Sequence, residues 1–185
     1  MKTKKIDLKK IFDEFVSGCD LNIKLSFDMP EGYENANGTY DFEKRTLFYN
    51  SRMLSESDDY EQVFYLFHEL RHALQYERPE EFSEEIRKSL PYIVMYNGQC
   101  CKLVGGKYIE CTLDGEETYF TELYLNTPYE IDANEYAAEK CRELFPEKTD
   151  AIKELLEWWL PKNKLPFPEL EKVYARIDAA IGENK

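Results

Sequence analysis

The sequence predicts an α+β fold in which a small sheet containing antiparallel strands packs on one long helix, with a second long helix beside it. Three observations carry this. Residues 21–50 hold short runs alternating apolar and polar side chains, a helical pattern follows to Tyr76, and a second block of strand-like runs separates it from further helices. The length of 185 residues suits a single domain, 1–185, with a β-meander inserted over 91–126 and a helical extension over 147–185.

Near the start, Leu8, Ile11, Phe12, Phe15 and Val16 recur at helical spacing, and Gly18 ends the pattern. Val16-Ser17-Gly18-Cys19 after a lysine-rich start has the outline of a lipoprotein cleavage site. Lys9, Lys10, Asp13 and Glu14 interrupt the apolar run that such a signal needs, so an amphipathic helix is expected instead. Leu21, Ile23, Leu25 and Phe27 then alternate as in a half-buried strand, and Pro30 to Gly38 is a polar loop. Thr39 to Phe42 and Thr46 to Asn50 form a hairpin across Glu43-Lys44-Arg45. Such a strand is either ordinary sheet or an edge that an extended peptide can join.

Ser57 or Asp58 can cap the long helix, with Asp59 and Glu61 favourable to its dipole. Val63, Phe64, Leu66, Phe67 and Leu70 make it a mostly buried helix. It also carries both histidines of the chain, in Tyr65-Leu66-Phe67-His68-Glu69-Leu70-Arg71-His72. One turn apart, His68 and His72 project from the same side, and Glu69 follows about 100° around the axis. This His-Glu-x-x-His pattern supplies two nitrogen ligands to a zinc ion and a carboxylate placed to act as general base; a catalytic zinc site needs one further protein ligand. A buried histidine pair without a metal would instead carry a desolvation cost.

A short acidic helix is expected from Glu80 to Leu90, stopped by Pro91. From Tyr92 to Leu125, aromatic and β-branched runs are separated by Asn97-Gly98, Gly105-Gly106 and Asp114-Gly115, which predicts a meander of up to four strands. It would either roof the metal cleft or extend the first sheet. Thr127-Pro128-Tyr129-Glu130 opens the second long helix, with Ala133, Ala137 and Cys141 as a stripe of small residues that permits close packing. Glu130, Asp132 and Glu135 are the available carboxylates, and Glu130 also has capping-box spacing from Thr127. Ile152, Leu155, Leu156, Trp159 and Leu160 then mark one amphipathic helix, and Leu170, Val173, Tyr174, Ile177 and Ile181 another. These helices either close the core or present a stripe to a partner.

His68-Glu69-Leu70-Arg71-His72 followed by Glu130-Ile131-Asp132-Ala133-Asn134-Glu135-Tyr136-Ala137-Ala138 resembles the ImmA/IrrE group of zinc metallopeptidases, whose third ligand is a glutamate. The resemblance covers roughly residues 5 to 145, with a longer interval between the two motifs than that group has. It implies a minimal zincin-like domain in which Glu130 completes the site with His68 and His72, and Asn134 holds a histidine from behind. It also implies cleavage of a regulatory protein inside the cell. Zinc would supply Lewis acidity and an acidified water, and Glu69 would move the proton. A tyrosine is the expected oxyanion donor, with Tyr129 nearest the start of the ligand helix.

The formal charge of -13 argues against direct nucleic-acid binding, and no apolar run reaches the eighteen or so residues that span a bilayer. Five cysteines, including the adjacent Cys100 and Cys101, fit buried small residues in a reducing cytoplasm better than a disulfide framework. The expected partner is a protein or peptide substrate, with no membrane involved. Two other classes compete with the enzyme: a metal-containing module that sequesters a protein without turnover, and a metal-free scaffold.

Overall fold

A computed structural model describes residues 6–183. The lysine-rich start lies outside the described residues. The fold is α+β, and the chain divides into two compact units: Met1–Arg78 with Asp132–Trp158, and Pro79–Ile131 with Trp159–Lys185.

In the first unit, helix α1 (Leu8–Gly18) is capped by Asp7, whose carboxylate accepts from Lys10 N. Strands β1 (Lys24–Ser26), β2 (Gly38–Asp41) and β3 (Thr46–Tyr49) form a sheet in the order β1-β3-β2. β1 runs parallel to β3, and β2 is antiparallel to it, so the expected hairpin is present and leaves β2 at an edge. The strand expected over Leu21–Phe27 is confined to β1, although Leu21 and Ile23 are buried ahead of it. Asn50 secures the polar loop. Its amide donates to Glu34 O (2.9 Å) and Ala36 O (2.8 Å), while its carbonyl oxygen accepts from Met53 N (3.1 Å).

Helix α2 (Asp59–Glu77) starts at Asp58 with a full capping box to Glu61. Its buried residues include Val63, Phe64, Leu66, Phe67 and Leu70, as the apolar pattern requires. Sheet and helix are joined by polar links as well: Tyr49 donates to Gln62 O (3.0 Å), and Glu77 accepts from both Tyr40 (2.7 Å) and Arg45 (2.5 Å). At the helix end, Arg78 donates to Cys19 O, which ties the exit of α1 to that of α2.

Helix α5 (Pro128–Leu144) runs through this unit from Asp132 onward. The small stripe behaves as expected: Ala133, Ala137 and Cys141 are fully buried, and the Cys141 thiol donates to Tyr60 O (3.4 Å) on α2. Phe15 of α1, Phe67 of α2 and Tyr136 of α5 meet edge-on, with centroids 6.0 to 6.4 Å apart. Helix α6 (Thr149–Trp158) packs on α2 through the buried Ile152.

In the second unit, the segment expected as one helix from Glu80 to Leu90 is broken. A single tight turn at Pro79–Glu81 comes first, and Ser83 then caps a shorter helix α3 (Glu84–Ser89). The meander has three strands, β4 (Tyr92–Val94), β5 (Gln99–Val104) and β6 (Lys107–Thr112), in a separate sheet of order β4-β5-β6. It therefore does not extend the first sheet. Gly105 and Gly106, both at positive φ (57° and 81°), close the β5–β6 hairpin as the sequence requires.

The fourth strand is replaced by helix α4 (Glu117–Leu125). The reason lies in spacing. Phe120 and Leu123 are three apart and both buried, which a helix puts on one side and a strand would put on opposite faces. Gly115 is also absent from the positive-φ positions that an Asp-Gly hairpin turn needs. Helix α7 (Phe167–Glu183) covers β5 and β6 and buries Leu170, Val173, Tyr174, Ile177 and Ile181 among Val94, Cys100, Cys111 and Phe120. Its stripe is core, not a surface left for a partner. None of the described helices is long and apolar enough to cross a membrane.

All five cysteines are free thiols, and Cys100, Cys111 and Cys141 are buried. Burial pushes the Cys100 and Cys141 thiols up to about 12. A thiol held that high is about one part in 10⁴ thiolate at pH 8. The folded protein should therefore leave both unmodified by an aromatic disulfide reagent at pH 8, with both reacting once denaturant is added. Counting released thiolate before and after unfolding checks this. The sign for stability follows: because the folded state holds these protons more tightly, their contribution is complete below pH 9 and is lost as pH rises from 9 to 12.

Candidate metal centre

The site is built on α2. His68 and His72 stand one turn apart on it, rings nearly perpendicular with centroids 4.5 Å apart, and their Nε2 atoms face each other at 3.0 Å. Glu130 joins them from the first turn of α5. One ligand atom from each of His68, His72 and Glu130 lies within 4.8 Å of the others.

The capping account of Glu130 does not hold. In a capping box the Thr127 hydroxyl would accept from Glu130 N, but here that hydroxyl donates to Leu123 O (3.1 Å) and Glu130 N is taken by Thr127 O (3.0 Å). Thr127 N itself donates to Tyr124 O (3.0 Å). The helix start is satisfied by backbone carbonyls.

The rival carboxylates are employed elsewhere. Asp132 forms a bidentate ion pair with Arg71, Nε to Oδ2 at 2.7 Å and Nη2 to Oδ1 at 3.0 Å, and also accepts from Gln75 Nε2 (2.8 Å). Glu135 is exposed. Gln75 is fully buried and places its Oε1 2.8 Å from His72 Nδ1. Sequence reasoning did not single out Gln75, and it reached Asp132 only as a rival ligand. The one available signal was the three-residue spacing from His72 to Gln75, which puts them on one helical face.

The donor set fits a divalent ion. Two imidazole nitrogens and a carboxylate oxygen are the ligands of one class of catalytic zinc site, and tetrahedral bonds of zinc length put ligand atoms about 3.3 Å apart. The Nε2 pair at 3.0 Å is already near that spacing. The cluster is compatible with a metal ion, and imidazole with carboxylate serves several transition metals.

Glu69 is buried beside His68, and strand β2 presses against it. A Cβ on Gly38 would lie 2.7 Å from Glu69 Cγ and 3.1 Å from its Oε1. Only glycine lets the edge strand come this near the carboxylate. Asn134, one turn along α5 from Glu130, is almost wholly buried.

Tyr129, the expected oxyanion donor, lies in the first turn of α5. Its hydroxyl donates to Tyr92 O (2.8 Å) on β4. Tyr96 lies in the turn after β4. Burial pushes its pKa up, a bond with Tyr124 lowers it, and the Glu130 charge raises it again. Its ring packs 4.8 Å from that of Tyr124. No family model matches the chain, and neither a curated protein nor a solved structure does.

Proposed function

We propose that the chain is a zinc-dependent metalloendopeptidase with a zincin-like catalytic arrangement, similar to the ImmA/IrrE group, that cleaves a peptide bond in an intracellular regulatory protein. The observation that carries this reading is the His68, His72 and Glu130 cluster with a buried carboxylate, Glu69, directly beside it on the same helix. Glu130 is the third ligand in this reading, and Asn134 supports the ligands from behind.

When bound, zinc supplies Lewis acidity and lowers the pKa of a water molecule. Glu69 takes the proton of the attacking water on its carboxylate and returns it to the leaving nitrogen. The edge strand β2, whose Gly38 abuts Glu69, suits an extended peptide pairing alongside. Tyr129 is the tyrosine to test for stabilising the oxyanion.

A purely structural metal site or a sequestering module has no use for Glu69 in this position. A proteome-wide comparison of fragments made by the wild type and by Glu69→Gln decides between enzyme and binding module. New N-termini found only with the wild type are expected, and identical fragment sets would count against turnover.

Gly38→Ala tests the role of the edge strand. The added methyl displaces the Glu69 carboxylate by roughly 1 Å, which can cost about 10²-fold in rate. Zinc content should stay at the wild-type value while hydrolysis of the cleaved sequence falls, measured on the same preparation.

A further inference from the structure

We propose that Asp132 and Gln75 are positioning residues that set the tautomer of His72, so that its Nε2 is presented without a hydrogen. The inference rests on the reading of His72 as a metal ligand and not on peptide hydrolysis.

The direction of the relay begins at a group that only accepts. Asp132 takes two hydrogen bonds from Arg71 and one from Gln75 Nε2, so the Gln75 amide is held with its NH₂ toward the carboxylate. Arg71 is itself steadied by the Tyr136 ring, which lies 4.5 Å from its guanidinium carbon. With the amide oriented this way, its oxygen faces His72 Nδ1 at 2.8 Å. An amide oxygen cannot donate, so Nδ1 carries the hydrogen. A neutral imidazole has one N–H, which leaves the lone pair on Nε2, the atom that faces His68 Nε2. Gln75 is fully buried, so water does not offer its amide an alternative partner.

The carboxylate at 132 therefore decides which nitrogen of a ring two groups away is available. An asparagine there has nearly the same shape but can donate. It can turn the Gln75 amide around, present NH₂ to His72 Nδ1, and drive the hydrogen onto Nε2. A role in packing alone would leave the tautomer unchanged.

The chain has two histidines, so long-range ¹⁵N–¹H correlation spectra of the metal-free protein at pH 8 report each ring separately. In the wild type, His72 is expected with its hydrogen on Nδ1. Asp132→Asn should move part or all of that population to Nε2–H and weaken zinc binding, measured by competition with a chromophoric chelator, by about 10- to 100-fold. Gln75→Leu should lose the preference as well. A wild-type His72 carrying its hydrogen on Nε2 overturns the proposal, and so does an Asp132→Asn protein with unchanged tautomer and zinc affinity. If Asp132→Asn does not fold, the wild-type spectrum and Gln75→Leu decide. Because no arm reads turnover, a failed relay and a failed peptidase assignment are separable results.

Discussion

Glu69→Gln should retain zinc at the wild-type stoichiometry and lose about 10²- to 10⁴-fold of peptide hydrolysis, the range that a positioned acid–base group contributes. The substitution is close to isosteric, and Glu69 is not one of the three clustered donors. The side chain is buried against Gly38, so an amide of the same size fits where the carboxylate was. What disappears is the ability to accept a proton. The informative pairing is metal content by elemental analysis with kcat on the substrate that the fragment comparison identifies. A variant that stays within a few-fold of the wild type would remove Glu69 from the mechanism.

His72→Ala should abolish stoichiometric zinc binding, with an effect well beyond the 10- to 100-fold attributed to an outer partner. Two supports go at once. One of three donors is lost, and the Gln75 oxygen loses the ring that it orients. The effect also appears in stability, because a ligand held only by the folded state adds about 4 kcal/mol when its free concentration is a thousandfold above Kd. Thermal unfolding with and without zinc should separate the two proteins: the wild-type midpoint rises on adding the metal, and that of His72→Ala does not. A wild-type protein purified without added zinc that carries no metal and shows no response to it would favour the scaffold.

The first unit was legible because its signals are local and agree with one another. Asp58 and Glu61 mark the start of α2, the apolar residues give it a buried character, and the hairpin ahead of it alternates in register with its own turn. The same rules misread residues 113–125. Tyr119, Phe120 and Tyr124 favour strands by type, and only the joint burial of Phe120 and Leu123 reveals the helix. Glu130 was not separable from Asp132 and Glu135 by spacing. What separates them is tertiary: Arg71 and Gln75 occupy Asp132 from 61 and 57 residues away, and the Thr127 hydroxyl turns toward Leu123. The relay behind His72 was hidden for the same reason, since nothing in the sequence between Gln75 and Asp132 marks them as neighbours.

The edge-on meeting of Phe15, Phe67 and Tyr136 has a consequence for dissecting the molecule. Tyr136 is both the ring under Arg71 and a neighbour of Phe15, so helix α1 is joined through aromatic contact to the residues that orient His72. A fragment beginning after Gly18 would keep every donor atom yet lose one wall of the support behind them. The smallest portable version of this cluster therefore has to include the first helix, although that helix contributes none of its three donor atoms.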